Sequence, residues 1–170
     1  MNVLVTAASK HGATAEIAQA IGRVLAEHGH VPSVLAPDEV MHVDDFDAVV
    51  IGSGVYAGHW LKPAKELIER TQDRLVSIPV WTFSSGPIGD PPKPDEDPVD
   101  VADVLSAVNT TEHMLFAGKL DKEKLGFAER ALTKALKAPD GDFRDWEAIE
   151  RWAIEIARAL DGFAPPNPLD

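Results

Sequence analysis

The chain has 170 residues, 45% hydrophobic and 26% charged, a balance that suits one domain with a proper core. Its 16 Lys and Arg face 28 Asp and Glu, and a formal net charge of −12 argues against nucleic acid or a polybasic membrane anchor. The absence of cysteine excludes disulfides, thiolate-held metal or iron–sulfur centres and a Cys nucleophile, and it fits a reducing, cytoplasmic setting.

Val3-Leu4-Val5 is a short apolar run that turns polar by Ser9. It reads as a buried strand, too short for a signal peptide, and no stretch approaches the roughly 18 apolar residues of a membrane span. From Thr14 the period becomes helical through Ile17, Ile21, Val24, Leu25 and His28, and Gly29 ends it. A second strand is expected over 31–35. Ala48-Val49-Val50-Ile51 reads as a strand buried on both faces, running into Gly52-Ser53-Gly54. A helix is expected from Pro63 to Arg70, with proline in its first turn. A strand from Ile78 to Phe83 leads to Ser84-Ser85-Gly86. Residues 87–98 hold five prolines and four acids, which predicts an exposed loop. A short helix over 101–108, a strand over 114–117 and a helix over 120–136 follow. Asp145 to Leu160 is a clear amphipathic helix with Trp146, Ile149, Trp152, Ala153, Ile156 and Leu160 on one stripe. The domain is expected to span 1–163, with 164–170 a frayed tail.

Alternating strands and helices predict a doubly wound α/β fold with a five-stranded parallel sheet in the order 2-1-3-4-5. In such sheets ligands sit beyond the carboxyl ends of the strands, where the order reverses. One site is therefore expected, built from three loops. After the first strand come Ser9, Lys10, His11, Gly12, Ala13 and Thr14. Here the hydroxyls and the helix N–H groups can cradle a phosphate, or Thr14 simply caps an ordinary turn. After the third strand, Ser53, Gly54, Val55, Tyr56 and Gly58 allow close approach of a flat ligand. Tyr56, the sole tyrosine, or Trp60 can stack on it, unless both pack beneath helices, and His59 either donates to the ring or is a surface residue. After the fourth strand, Ser84, Ser85 and Gly86 offer backbone groups to a ring edge. The six histidines are scattered, so no metal site is expected. No acid ends the third strand, which excludes a receiver domain, and no Gly-x-Ser-x-Gly elbow supports serine hydrolysis.

At these residues the chain resembles flavodoxin-like flavoproteins, and within them the menaquinone-dependent protoporphyrinogen oxidase (dehydrogenase) group. The matching pieces are Ser9-x-x-Gly12-x-Thr14 with Glu16-Ile17-Ala18, and Val50-Ile51-Gly52-Ser53 through Tyr56-x-Gly58-His59. Phe116-Ala117-Gly118-Lys119-Leu120 and Asp145-Trp146-Glu147 complete them. The resemblance implies non-covalent FMN. Residues 9–14 would hold its phosphate, 53–58 would border the ring and ribityl chain, and 84–86 would form the third wall. It implies electron transfer with no side-chain acid or base. The partner would be a redox protein or a quinone, with a porphyrinogen-like substrate in the oxidase role, for which the 87–108 segment would serve as a lid. A one-electron carrier is the alternative within this class. Ala8 and Ala13 stand where the family usually carries a hydroxyl and often an asparagine. That departure keeps open a flavin-free interaction module.

Overall fold

A computed structural model describes residues 1–88, 96–135 and 139–163. The expected loop at 89–95, the end of the expected helix at Leu136 and the tail at 164–170 lie outside the described residues. The elements in chain order are β1 (Asn2–Ala8), α1 (Ala13–Glu27), β2 (Val31–Leu35), β3 (Ala48–Tyr56), β4 (His59–Trp60) and α2 (Lys62–Leu75). Then come β5 (Val80–Ser85), α3 (Val101–Ala107), β6 (His113–Phe116), β7 (Lys119–Leu120), α4 (Phe127–Ala135), β8 (Gly141–Asp142) and α5 (Trp146–Phe163).

The main sheet runs β2-β1-β3-β5-β6, parallel throughout, with β4 folded back on the end of β3. Setting that two-residue strand aside, this is the expected 2-1-3-4-5 order. Successive side chains of a strand point to opposite faces, so a strand covered on both sides must be apolar at every position. β1 obeys this: Val3 and Val5 face α1 and α5, while Leu4 faces α2. Likewise Val50 joins the first core and Val49 and Ile51 the second. The first core is closed by Phe83, Phe116 and Trp152, whose ring centroids lie 5.6–6.0 Å apart in tilted and edge-on pairs. The second is covered by Ala64, Leu67, Ile68 and Leu75 of α2 and by Val101 and Val104 of α3.

Four elements depart from the sequence expectation, each for a local reason. Gly52-Ser53-Gly54 is not a loop but the continuation of β3, paired with Ala7 and Ala8 on one side and Phe83 to Ser85 on the other. The turn comes later, at Ala57 (φ 50°) and Gly58 (φ 81°). Positive φ at both positions is the two-residue hairpin geometry that follows the strands' own twist. Helix α2 runs to Leu75, past Arg70, because Leu75 is itself buried and Thr71 bonds back to the Leu67 carbonyl at 2.7 Å. The expected helix over 120–136 starts only at Phe127. Before it, Leu120 pairs with Gly141, and the Asp121 carboxylate accepts the Glu123 N–H at 3.1 Å, an Asx turn that competes with helix. Trp146, expected on the buried stripe of α5, is instead 37% exposed and lies 4.4 Å beneath the Arg144 guanidinium. Asp145 caps that helix, accepting the Ala148 N–H at 3.0 Å.

Candidate functional site

At the carboxyl end of β1 the chain must turn sharply into α1. The Ser9 hydroxyl accepts the Gly12 N–H at 3.1 Å, and Gly12 adopts φ +92°, which favours glycine. No side chain caps α1, and Glu16 is the first residue whose N–H reaches back, to Gly12. Thr14 is buried and does not cap. The first-turn N–H groups are thus left facing the cleft, with the positive end of the helix dipole behind them.

The cleft gathers Ser9, Lys10, His11, Ala13 and Thr14 from the first loop, Gly54, Val55 and Tyr56 from the end of β3, and Ser85 and Gly86 after β5. Its walls close to backbone distance. A Cβ at Gly54 would stand 3.1 Å from the Thr14 hydroxyl, and one at Gly86 would stand 2.9 Å from the Val55 Cβ.

Four residues expected at the site do not line it. Gly12 forms the turn into α1 and is not among the cleft-lining residues. Ser53 is fully buried, its hydroxyl donating to the Gly54 carbonyl at 2.8 Å and accepting the Leu61 N–H at 2.9 Å. Ser84 is equally buried and accepts the Trp60 indole N–H at 2.7 Å, so Trp60 packs inside the fold and does not stack on a ligand. Gly58 accepts the Val99 N–H at 2.8 Å, away from the cleft. His59 also points away, exposed and 3.5 Å from Asp100. Of the 87–108 segment, expected as a lid, Ile88 lines the cleft, residues 89–95 lie outside the described residues, and α3 packs into the core beside α2. Asp100 accepts the Trp60 N–H at 3.1 Å and the Lys65 ammonium at 3.0 Å.

A fourth wall was not anticipated. Gly118, Leu120, Lys124, Leu125, Glu129 and Thr133 complete the cleft from the segment after β6. The signal was available, because Gly118 follows the carboxyl end of the last strand, where the same sheet rule places ligand loops. This wall is fastened by Arg144, whose side chain is 2% exposed. Its Nε and Nη2 donate to the two Asp142 carboxylate oxygens at 2.8 and 2.6 Å, and Nη1 donates to Glu16 at 2.7 Å and to the Ala13 carbonyl at 3.0 Å.

Glu129 concentrates the electrostatics. One carboxylate oxygen accepts from the Lys10 ammonium and lies 3.2 Å from His11 Nε2; the other accepts the Gly126 N–H at 2.9 Å. The Lys10 bond, then the Gly126 N–H and His11, hold its carboxyl down to about 2, so it is ionised at neutral pH. The Lys10 ammonium also stands 5.2 Å over the Tyr56 ring. Burial, and next the charge of Glu129, push the Tyr56 phenol up to about 12. With a single tyrosine in the chain, phenolate absorbance reads this group alone. Its midpoint is expected well above the ordinary value near 10, returning there in denaturant and moving down in Glu129→Gln. An unshifted midpoint in the folded protein contradicts the burial of Tyr56.

Donors at one end and apolar walls at the other fit a phosphorylated flat ligand such as FMN. The cleft volume is about 190 Å³, below the roughly 300–1,000 Å³ of most small-molecule sites. No helix among the described residues is long and apolar enough to cross a membrane.

The flavodoxin domain family model matches residues 4–146. Comparison with curated protein sequences finds no match. Among solved structures the chain is similar to the rubredoxin oxygen:oxidoreductase of Desulfovibrio gigas, at 15% identity over 95% of this chain with a TM-score of 0.66. The chain spans 36% of that protein's length. It is also similar to a flavodoxin from the domain Archaea, at 17% identity over 95% of this chain and 99% of that one, TM-score 0.64. Oxidised flavodoxin 1 from Bacillus cereus is similar at 13% identity over 93% and 98% of the two chains, TM-score 0.62. At such identities the structural likeness is one of fold. It agrees with the strand order, with the cleft beyond the strand ends and with the family match across most of the sequence, and the chain belongs to the flavodoxin domain family.

Proposed function

We propose that the protein is an FMN-dependent electron-transfer flavoprotein. Membership of the flavodoxin domain family implies FMN. The observation that carries the reading is the uncapped start of α1, opening into a cleft that also holds Ser9, Lys10, His11 and Thr14. Those groups would hold the phosphate, with the first-turn N–H groups donating to it. Val55, Tyr56, Ile88, Leu120 and Leu125 are the apolar surfaces against which the ring would lie. When bound, the flavin supplies reversible electron acceptance, while the chain binds it, orients it and limits water around it. A net charge of −12 would steer the protein toward a basic redox partner.

The test is a titration of purified protein with FMN, followed by flavin fluorescence and visible absorbance. One FMN per chain is expected, with its absorption bands shifted and its emission quenched. A spectrum identical to free FMN at every protein concentration rejects the reading and favours the flavin-free interaction module.

The narrower reading is an oxidase of the protoporphyrinogen type, passing electrons from a porphyrinogen-like substrate to a quinone or protein acceptor. Its support is the Tyr56-x-Gly58-His59 stretch, the Asp145-Trp146 pair and the extra wall over 118–133, which could shape a substrate pocket. Bleaching of bound FMN by protoporphyrinogen under anaerobic conditions supports it. Reduction by a flavodoxin reductase with no response to porphyrinogen assigns the carrier role instead.

A further inference from the structure

We propose that Glu129 is a built-in competitor for the anion cradle, and that the first turn of α4 must leave Lys10 and His11 before a phosphomonoester can seat. This deepens the FMN reading and rests on it for the identity of the ligand.

The Lys10 ammonium and the His11 imidazole of the cradle loop are both turned onto one carboxylate oxygen of Glu129. The second oxygen is held by the Gly126 N–H at 2.9 Å, the reciprocal half of a capping box. The carboxylate is therefore tied to the start of α4, and turning it aside also breaks the cap on Gly126. Phe127, the first residue of α4, is 93% exposed, so it gives the turn no hold on the fold. Glu129 and the buried Leu125 do, and both project into the cleft. With them in place the cleft measures about 190 Å³, below the usual size of small-molecule sites. The same contact thus occupies the charges and the space.

A phosphomonoester carries close to two negative charges and three strong acceptor oxygens. It can take the Lys10 ammonium and the His11 ring N–H that Glu129 now engages, and also the α1 first-turn N–H groups, which have no capping side chain. It therefore outcompetes the carboxylate. Riboflavin needs the same opening but has no phosphate to replace the contacts that are lost.

The experiment measures FMN and riboflavin affinity for the wild type, Glu129→Gln and Lys10→Gln. Glutamine keeps the cap on Gly126 and nearly the same volume, so α4 should persist, as circular dichroism checks. Glu129→Gln is expected to bind both flavins roughly 3- to 10-fold tighter. Lys10→Gln is expected to bind riboflavin tighter but FMN no better, because it frees the gate and loses a phosphate partner together. Weaker or unchanged FMN binding by Glu129→Gln overturns the proposal, the weaker case making the carboxylate a ligand contact. A second readout needs no flavin: tryptic cleavage after Lys124 and Arg130, in inorganic phosphate or in chloride at equal ionic strength. Cleavage is expected to be faster in phosphate for the wild type, and fast in either salt for Glu129→Gln. Equal rates for the wild type in both salts overturn the proposal. Faster cleavage in phosphate with no binding of either flavin rejects the FMN reading and leaves the anion gate standing.

Discussion

Gly52→Ala is expected to destabilise the protein by about 3 kcal/mol or more, since an added Cβ meets its neighbour more closely there than at any other described glycine. Gly52 sits in β3, the middle strand of the sheet, between Ala7 and Phe83. A Cβ there would lie 2.1 Å from the tip of the Phe83 ring and 2.3 and 2.5 Å from its flanking carbons. Carbon atoms meet at roughly 3.5–4.0 Å, so this is overlap and not tight packing. Relief by moving the ring is blocked, because Phe83 is fully buried and held by Phe116 at 5.9 Å and Trp152 at 6.0 Å. Relief by moving the strand is blocked by hydrogen-bonded neighbours on both sides. Small domains have roughly 5–15 kcal/mol of stability in total, so the loss is a large fraction of it. A urea titration should show a much lower midpoint with an unchanged slope. Adding Phe83→Leu should restore part of the loss, since the smaller side chain leaves the methyl group room. A double-mutant cycle with no coupling between the two positions contradicts the overlap.

Gly52 also shows what could be read from the sequence and what could not. The apolar runs at 3–5 and 48–51, the helical periods of α1 and α5 and the glycine at 29 are local signals. Each carries its own physics, and together they led to the sheet order and to the end of the sheet where the cleft lies. Glycine is ambiguous by comparison. It can mean a turn, a positive φ or a place where a neighbour comes too close for a side chain, and sequence does not distinguish these. Gly52 and Gly54 are close-approach glycines inside a strand, while Gly58 belongs to the turn. Reading the first two as a loop put Ser53 at the site, although its hydroxyl is spent on the Leu61 and Gly54 backbone. Ser84 was misplaced by the same logic: a serine at a strand end can face the ligand or the layer beneath, and the indole of Trp60, 24 residues away in sequence, decides it. The fourth wall was hidden for another reason. Its helical spacing is genuine from Phe127 onward, but Asp121 and the pairing of β7 with β8 divert the chain before that. Such pairing is a long-range effect that no window of sequence contains.

Arg144→Gln is the change expected to act most strongly on the site from a distance. The β7–β8 hairpin joins only Lys119 to Asp142 and Leu120 to Gly141, and an isolated pair of strands that short does not hold itself together in water. What fixes it is the Arg144 fork, bidentate on Asp142 and reaching Glu16 and the Ala13 carbonyl in the first turn of α1. Without it two carboxylates face each other, and the wall carrying Leu125 and Glu129 loses its tie to the cradle. A fully buried pair broken in this way costs about 3–5 kcal/mol. Here Asp142 and Glu16 keep 37% and 47% of their side-chain surface in solvent, so screening brings the expected loss to about 2 kcal/mol. Lysine at 144 should recover little, having the charge without the planar fork. The Arg144 bond holds the Asp142 carboxyl below the usual carboxylate range. A depressed pKa adds stability above the unfolded value, near 3.9 for Asp, and that stability is lost as pH falls through the folded one. The gap between wild type and Arg144→Gln should therefore be full at neutral pH and narrow below about pH 4. Urea midpoints at several pH values measure this, and a gap that widens toward acid means that the pair with Asp142 is not what Arg144 contributes. Hydrogen exchange should show protection lost over residues 119–135 and 139–142 while β1, β3 and β5 keep theirs.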